Sequence, residues 1–245
     1  MKILVCITHV PDTTSKIQFT ADNTKFDTTG VQFIIGPYDD YALARAVELR
    51  DQTSGKLTVL NVGESETEPT LRKALAIGAD EAIRVNASPK DSFFVAEQIA
   101  HYAKEGGYDL ILMGRESIDF NGGMVHGMVG EILGMPSFSP VMKLDLDGTS
   151  VTMSREIEGG KEVVEASLPL IAGCQEPIAE WKIPNMRGIM SARTKPLNVV
   201  EPVSEETQAV AVKYELPPAK GAVKLIDKDN VSELVKLLKN EAKVL

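Results

Sequence analysis

The chain is poor in the residues that build metal and redox centres. Its 245 residues hold two cysteines, three histidines and one tryptophan, and aromatic residues make up 5%. Cys6 and Cys174 each sit in an apolar, strand-like run. With no CxxC pair and no Cys/His cluster, both read as buried, reduced thiols rather than metal ligands. His9, His101 and His126 share no spacing that suits a catalytic triad or a metal, and His101 falls on an amphipathic helical pattern that accounts for it. No Ser/His/Asp or Cys/His arrangement can be argued. A GxxxxGK[ST] phosphate loop is missing, and no GxGxxG follows the first strand, which disfavours standard NTP hydrolysis and the dinucleotide fingerprint. Apolar runs never approach the roughly 20 residues needed to span a bilayer. Met1–Val5 enters a strand pattern at once, without the basic start and longer apolar stretch of a signal peptide. The expectation is a cytoplasmic protein, or a mitochondrial-matrix one if the chain is eukaryotic and trimmed. Basic residues are outnumbered 26 to 35, for a net charge of −9, so general nucleic-acid binding is disfavoured.

What is present is an ordinary globular composition, with 43% hydrophobic and 25% charged residues. Residues 2–8 form an apolar run read as a buried strand, broken at residues 9–12. Residues 17–35 alternate weakly and carry turn residues, which predicts a small hairpin. Gly36-Pro37 then opens a helix over 38–52, with proline where its missing N–H has no intrahelical acceptor. Further strands are predicted at 56–62, 81–86 and 109–113. Between and after them, helices are predicted at 68–77 (capped by Ser65 or Thr67), 92–104 (capped by Asp91) and 123–133. Strands alternating with helices imply a parallel sheet covered on both faces. Residues 141–147, 150–156 and 161–167 instead read as antiparallel strands, with Gly159-Gly160 as a hairpin turn. Residues 168–173 return to an apolar run and are expected to add an edge to the main sheet. The predicted fold is therefore α/β, a doubly wound and mostly parallel sheet with an antiparallel hairpin extension and a C-terminal arm. The core is expected over residues 1–180, including the hairpin at 141–167. Beyond it, 181–245 read as an extended arm ending in a helix at 231–243, started by Asn230 and Glu233. That arm cannot bury much surface by itself.

The most informative loop is Gly114-Arg115-Glu116-Ser117-Ile118-Asp119-Phe120-Asn121-Gly122-Gly123. It leaves the C-terminal end of a strand and opens a helix, the edge at which open α/β sheets bind ligands. A helix N-terminus offers unpaired N–H groups to phosphate, and Gly122-Gly123 would let the backbone approach an anion closely. Pattern alone fits phosphate binding and a plain glycine-rich connector equally well. Gly36-Pro37-Tyr38-Asp39 is a second loop-to-helix junction of the same kind.

These segments together resemble the beta subunits of electron transfer flavoproteins. Gly36–Leu43 (GPYDDYAL) resembles their Asn-Pro-(aromatic)-Asp/Cys…Ala-Leu/Val stretch, and Leu71–Asp80 (LRKALAIGAD) looks like their R-x-A-L-A-x-G-A-D segment. Gly114–Asp119 is similar to their G-[RK]-Q-[AS]-I-D loop, Arg155–Gly160 to their R-E-[IV]-[DE]-G-G hairpin, and Gly188–Arg193 to their G-I-M-x-A-[RK] arm. The resemblance runs in family order over nearly the whole chain. It implies an electron carrier without turnover of its own, paired with an alpha subunit on which the arm and last helix pack. A redox FAD would sit at the interface, held mainly by alpha, and AMP would be held in this chain. Some members carry a second FAD in the place of AMP. Electrons would arrive from flavin dehydrogenases, such as acyl-CoA dehydrogenases, and leave to a membrane quinone oxidoreductase. Carried over by position, the nucleotide would contact Cys6, Gly36, Pro37, Tyr38, Asp39, Val62, Gly114, Arg115, Glu116, Ser117, Ile118, Asp119, Phe120, Asn121, Gly122, Gly123, Met124 and Val125. The donor-docking anchor falls on Met186, with Ile183 and Ile189 beside it.

Overall fold

The computed structural model describes residues 1–245. It divides into two compact units, one of Met1–Ile17 with Asp27–Val212 and one of Gln18–Phe26 with Lys213–Leu245. The first unit is built on a nine-stranded sheet. Its left half is parallel, because each apolar run is followed by a helix that returns the chain to the same edge. Strand β1 (Lys2–Cys6) pairs in parallel with β4 (Lys56–Val62) on one side and with β6 (Leu110–Gly114) on the other. Outside β4 lies β5 (Glu81–Val85). Helices α1 (Pro37–Thr53) and α2 (Glu68–Ile77) cover one face, and α3 (Ser92–Gly106) and α4 (Val125–Leu133) the other. Two apolar clusters result. Ile3, Val5, Leu43 and Leu71 belong to the first, and Leu4, Cys6, Phe94 and Ile111 to the second. Neighbouring residues of β1 thus feed opposite layers, as the two-residue period of a strand requires.

The expectation for residues 168–173 is corrected. Strand β10 (Leu170–Cys174) lies inside the sheet, parallel to both β6 and β7 (Ser137–Asp147). An apolar run signals burial on both faces but not its rank in the sheet. Strand β7 continues past β10 and turns antiparallel against β8 (Ser150–Ile157), which pairs with β9 (Gly160–Ser167) across the turn at Gly159, whose φ is +83°. Of the glycine pair, Gly159 is the one whose left-handed backbone the turn requires.

Residues 9–12 do not simply break the chain. His9–Pro11 forms β2 and pairs antiparallel with β3 (Phe33–Ile35), while the His9 ring stacks on Phe33 with centroids 4.4 Å apart. The hairpin expected within 17–35 reduces to one bridge, between Phe19 and Phe26. No side chain caps α2. A 3-10 turn at Ser65–Thr67 leads into it, and the Thr67 hydroxyl donates backwards to the Glu64 carbonyl. Residues 181–212 hold two regular elements, a short helix α5 (Met186–Ala192) and strand β11 (Leu197–Val200), which pairs with β5 and closes the parallel edge.

In the second unit, Phe19 stacks on Tyr214 at 5.2 Å and the Tyr214 N–H donates to the Asn23 carbonyl. Its helix α6 (Val231–Asn240) is started by Asn230, whose side chain accepts from the Glu233 N–H at 3.3 Å. The helix ends three residues before the predicted 243. No helix of the protein is long and apolar enough to cross a membrane.

Candidate functional site at the carboxyl edge of the sheet

The exits of β1 and β6 are tied together by one carboxylate. Asp39, in the first turn of α1, accepts from the Thr8 N–H at 2.8 Å and the Thr8 hydroxyl at 2.6 Å on one oxygen. Its other oxygen accepts from the Gly114 N–H at 2.7 Å. Asp39 is buried with no cation beside it. Burial pushes its carboxyl up to about 6, against the pull of its bonds to Thr8 and Gly114. Asp40 is likewise raised to about 6 by burial, opposed by Lys73 at 3.8 Å. Desolvation exceeds the hydrogen bonding at Asp39 and the attraction of Lys73 at Asp40.

This closeness depends on glycine. A Cβ on Gly36 would lie 2.4 Å from the Thr8 hydroxyl oxygen and 2.6 Å from the Asp39 carboxylate. On Gly114 it would meet Asp39 at 2.6 Å and the Tyr38 Cβ at 2.7 Å. Gly63, directly after β4, has the same character, with Thr67 at 2.4 Å from the position of an added Cβ. The floor is therefore backbone, brought close where β3 (Phe33–Ile35), β4 and β6 end.

The loop after β6 rises from this floor. The Arg115 N–H donates to the Cys174 carbonyl at 2.9 Å, and the guanidinium lies 4.9 Å from the centre of the Tyr38 ring. Arg115 Nη1 donates to Gln175 Oε1 at 2.9 Å, and Gln175 Nε2 to Glu156 Oε2 at 2.6 Å. A polar chain thus runs from α1 through the loop to the end of β8. Farther on, the Ser117 hydroxyl donates to the Asp119 carboxylate, and Ser117 bridges Gly122 across the loop. Asn121 holds a left-handed φ of +48°. Phe120 and Met124 are 70% and 57% exposed at the rim. Helix α4 begins after Met124 with no side chain on its first N–H groups, and α1 begins after Gly36 in the same way. Asp91, Asn185 and Asn230 cap α3, α5 and α6. Helix α2 also starts without a side-chain cap, so the open N-termini at this edge are those of α1, α2 and α4, which offer hydrogen-bond donors to an anion.

The structure brings Cys6, Gly36, Pro37, Tyr38, Asp39, Val62 and residues 114–125 to this one edge. Cys6 contributes backbone and bulk, since its thiol is buried and pushed upward by desolvation and then by Asp39. Cys174 is held in the same condition. Sequence reasoning missed Thr8, Gly63 and Gln175. A polar residue just past an apolar strand was the available signal for Thr8, and a glycine between strand and helix for Gly63. A shallow cavity of about 450 Å3, lined by Met1, Lys2, Gly55, Lys56 and Asp109, opens at the other end of the strands, away from the carboxyl edge where such sheets bind ligands.

Met186, Ile183 and Ile189 lie elsewhere, on and before α5. Met186 and Ile183 are about three-quarters exposed and Ile189 less so. Of the basic residues near them, Lys195 turns inward, its amine donating to the carbonyls of Leu75 at 2.9 Å and Ala79 at 2.6 Å.

An open, mostly parallel sheet with a glycine-floored crevice at its carboxyl edge defines a doubly wound α/β protein. The family model described as "Electron transfer flavoprotein domain" matches residues 23–205. The chain is 34% identical to the electron transfer flavoprotein subunit beta of Bacillus subtilis, over the full length of both. It is 33% identical to that of Syntrophomonas wolfei, over all of this chain and 98% of the relative. Against the mitochondrial subunit beta of Oryza sativa the identity is 29%, with both chains fully covered. The chain belongs to the electron transfer flavoprotein family, among its beta subunits.

Proposed function

We propose that this chain is the nucleotide-holding half of a heterodimeric electron carrier. It binds AMP structurally at the carboxyl edge and, with an alpha subunit, encloses a redox FAD held mainly by that partner. The observation that carries this reading is the glycine floor braced by Asp39. At Gly36, Gly63 and Gly114 only backbone fits. The N–H groups of Gly63 and Gly114 are taken by Val85 and Asp39, so the donors left to a ligand are those at the starts of the helices. Asp39 spends its charge inward on Thr8 and Gly114, and the N-termini of α1 and α4 carry no side-chain cap. That donor set suits a phosphate. Gly122 and Gly123 have no atom closer than 3.4 Å to an added Cβ, which leaves room for a phosphate to approach. The loop carries no lysine, and its one hydroxyl, on Ser117, is engaged by Asp119. The arrangement therefore favours holding a nucleotide over hydrolysing it.

FAD, when bound, supplies the electron-accepting and electron-donating chemistry. This chain's part is to shape the interface, exclude water from it and present α5 to the donor. Donors are flavin dehydrogenases of the acyl-CoA dehydrogenase kind, which dock on Met186, Ile183 and Ile189; a quinone oxidoreductase in the membrane is the acceptor. The chain has no turnover of its own. The test is the nucleotide content of a perchloric acid extract of the purified heterodimer. One AMP and one FAD per heterodimer are expected. Two FAD and no AMP would replace AMP with a second flavin, and ATP hydrolysed on incubation would overturn the structural role.

A further inference from the structure

Helices α2 and α5 exchange caps. Arg72, on α2, donates from Nη1 to the carbonyls of Ala192 and Lys195, both at 2.8 Å, at the C-terminal end of α5. Lys195, just past α5, donates to the carbonyls of Leu75 and Ala79 at the C-terminal end of α2. Each helix thus receives, at its electronegative end, a cation carried by the other. The contact between them is made by small residues. Gly188 sits so close to α2 that a Cβ there would lie 2.3 Å from the Ala76 carbonyl oxygen, and Ala192 is buried in the main core cluster. Asn185 accepts from the Gly188 N–H at 2.8 Å and fixes where α5 begins. Every one of these fastenings is on the inner side. The outer side carries Met186 and Met190, 73% and 67% exposed.

A helix of seven residues has little stability by itself. Without the exchange of caps it would sample many orientations, and its apolar side chains would face a partner only part of the time. We infer that Arg72 and Lys195 are positioning residues that hold α5 as a preformed docking face for the electron-donating flavoprotein, so that the donor does not have to order the arm on binding. The inference rests on the reading that this face meets the donor. Both cations are half-buried and spend donors on these carbonyls, so their effect acts through the arm. Partial burial lowers the Lys195 amine below its usual range, consistent with its inward direction.

The experiment uses the intact heterodimer as electron acceptor for a purified acyl-CoA dehydrogenase. Arg72→Gln and Lys195→Met are compared with Met186→Ala and with the Arg72→Gln/Met186→Ala double variant. Arg72→Lys is the milder second substitution should the glutamine variant fold poorly. If the face is competent only a tenth of the time once a clamp is lost, apparent affinity falls about tenfold. KM is expected to rise by that order in Arg72→Gln and Lys195→Met, with kcat and FAD content unchanged. Amide hydrogen exchange should quicken over 186–192 and not in β1, β4 or β6. In the double variant the KM effects should be less than additive, since a loose arm has less use for its anchor. A purely structural role lowers the melting temperature but leaves KM and that coupling alone, and such an outcome overturns the inference. If Met186→Ala raises KM while the clamp variants do not, the clamp is refuted and the docking face stands. If Met186→Ala has no effect on KM, the docking face fails and takes the inference with it.

Discussion

Asp39 is a carboxylate enclosed without a cation, and its protonation belongs to the fold. Its folded value, raised to about 6 by burial, lies above its ordinary value of 3.8. Folding therefore takes up a proton between those values. The group's contribution to stability is fully present below about 3.8, falls as pH rises towards 6, and is constant above. Asp40 adds to the same window. Denaturant midpoints measured from pH 4 to 7 should decline less steeply in Asp39→Asn than in wild type, with Asp40→Asn as the control for its neighbour's share. A slope in Asp39→Asn as steep as wild type would refute the assignment. Gly114→Ala drives a methyl into Asp39 and Tyr38. It should cost about 1–3 kcal/mol in urea denaturation, as overpacked sites do, and weaken nucleotide retention. Much of this corner was legible as Gly36–Asp39 and 114–123, because glycines at loop-to-helix junctions mark close approach. The hold of Asp39 on Thr8 was not. Those residues meet only once β1, β6 and α1 are assembled, and sequence spacing does not encode that meeting.

At the scale of elements, strand 56–62 and helix 68–77 are found as the sequence pattern predicts them. A long apolar run and a strong 3.6-residue period leave few alternatives. Helix α5 left no such trace, because it packs through Gly188 and Ala192 while its large side chains face out. Strand β11 was too short and too exposed to alternate clearly. The expected cap on α3 is present and does more than end a helix. One Asp91 oxygen accepts from the Phe94 N–H at 2.8 Å. The other accepts from the N–H groups of Gln208 and Ala209 at 2.6 and 2.8 Å. Asp91→Ala should therefore cost more than the roughly 1 kcal/mol typical of a lost cap. It should also expose the chain near 208 to proteolysis. Cleavage there no faster than in wild type would show that the strap is held by other contacts.

Over the whole molecule, most of the sheet could be anticipated from alternating strands and helices, but the rank of its strands could not. Helix α6 has no buried residue, and Val231, Leu234 and Val235 are 61%, 43% and 47% exposed. On the heterodimer reading these residues wait for the alpha subunit. Deleting 213–245 should leave the melting temperature of the isolated chain near wild type while the heterodimer loses FAD on gel filtration. Full flavin retention by the shortened complex would remove the C-terminal segment from the interface. The position of β10 carries a further consequence. It lies between β6 and β7 although it is made after β7, β8 and β9. On the ribosome the outer edge of β6 therefore stays unpaired until residue 174 has left the exit tunnel, through the synthesis of some sixty residues at about 5–20 residues per second. For those seconds the nascent chain exposes an apolar edge of the kind that recruits other strands, and a chaperone able to cover it would serve this stretch of synthesis more than any later one.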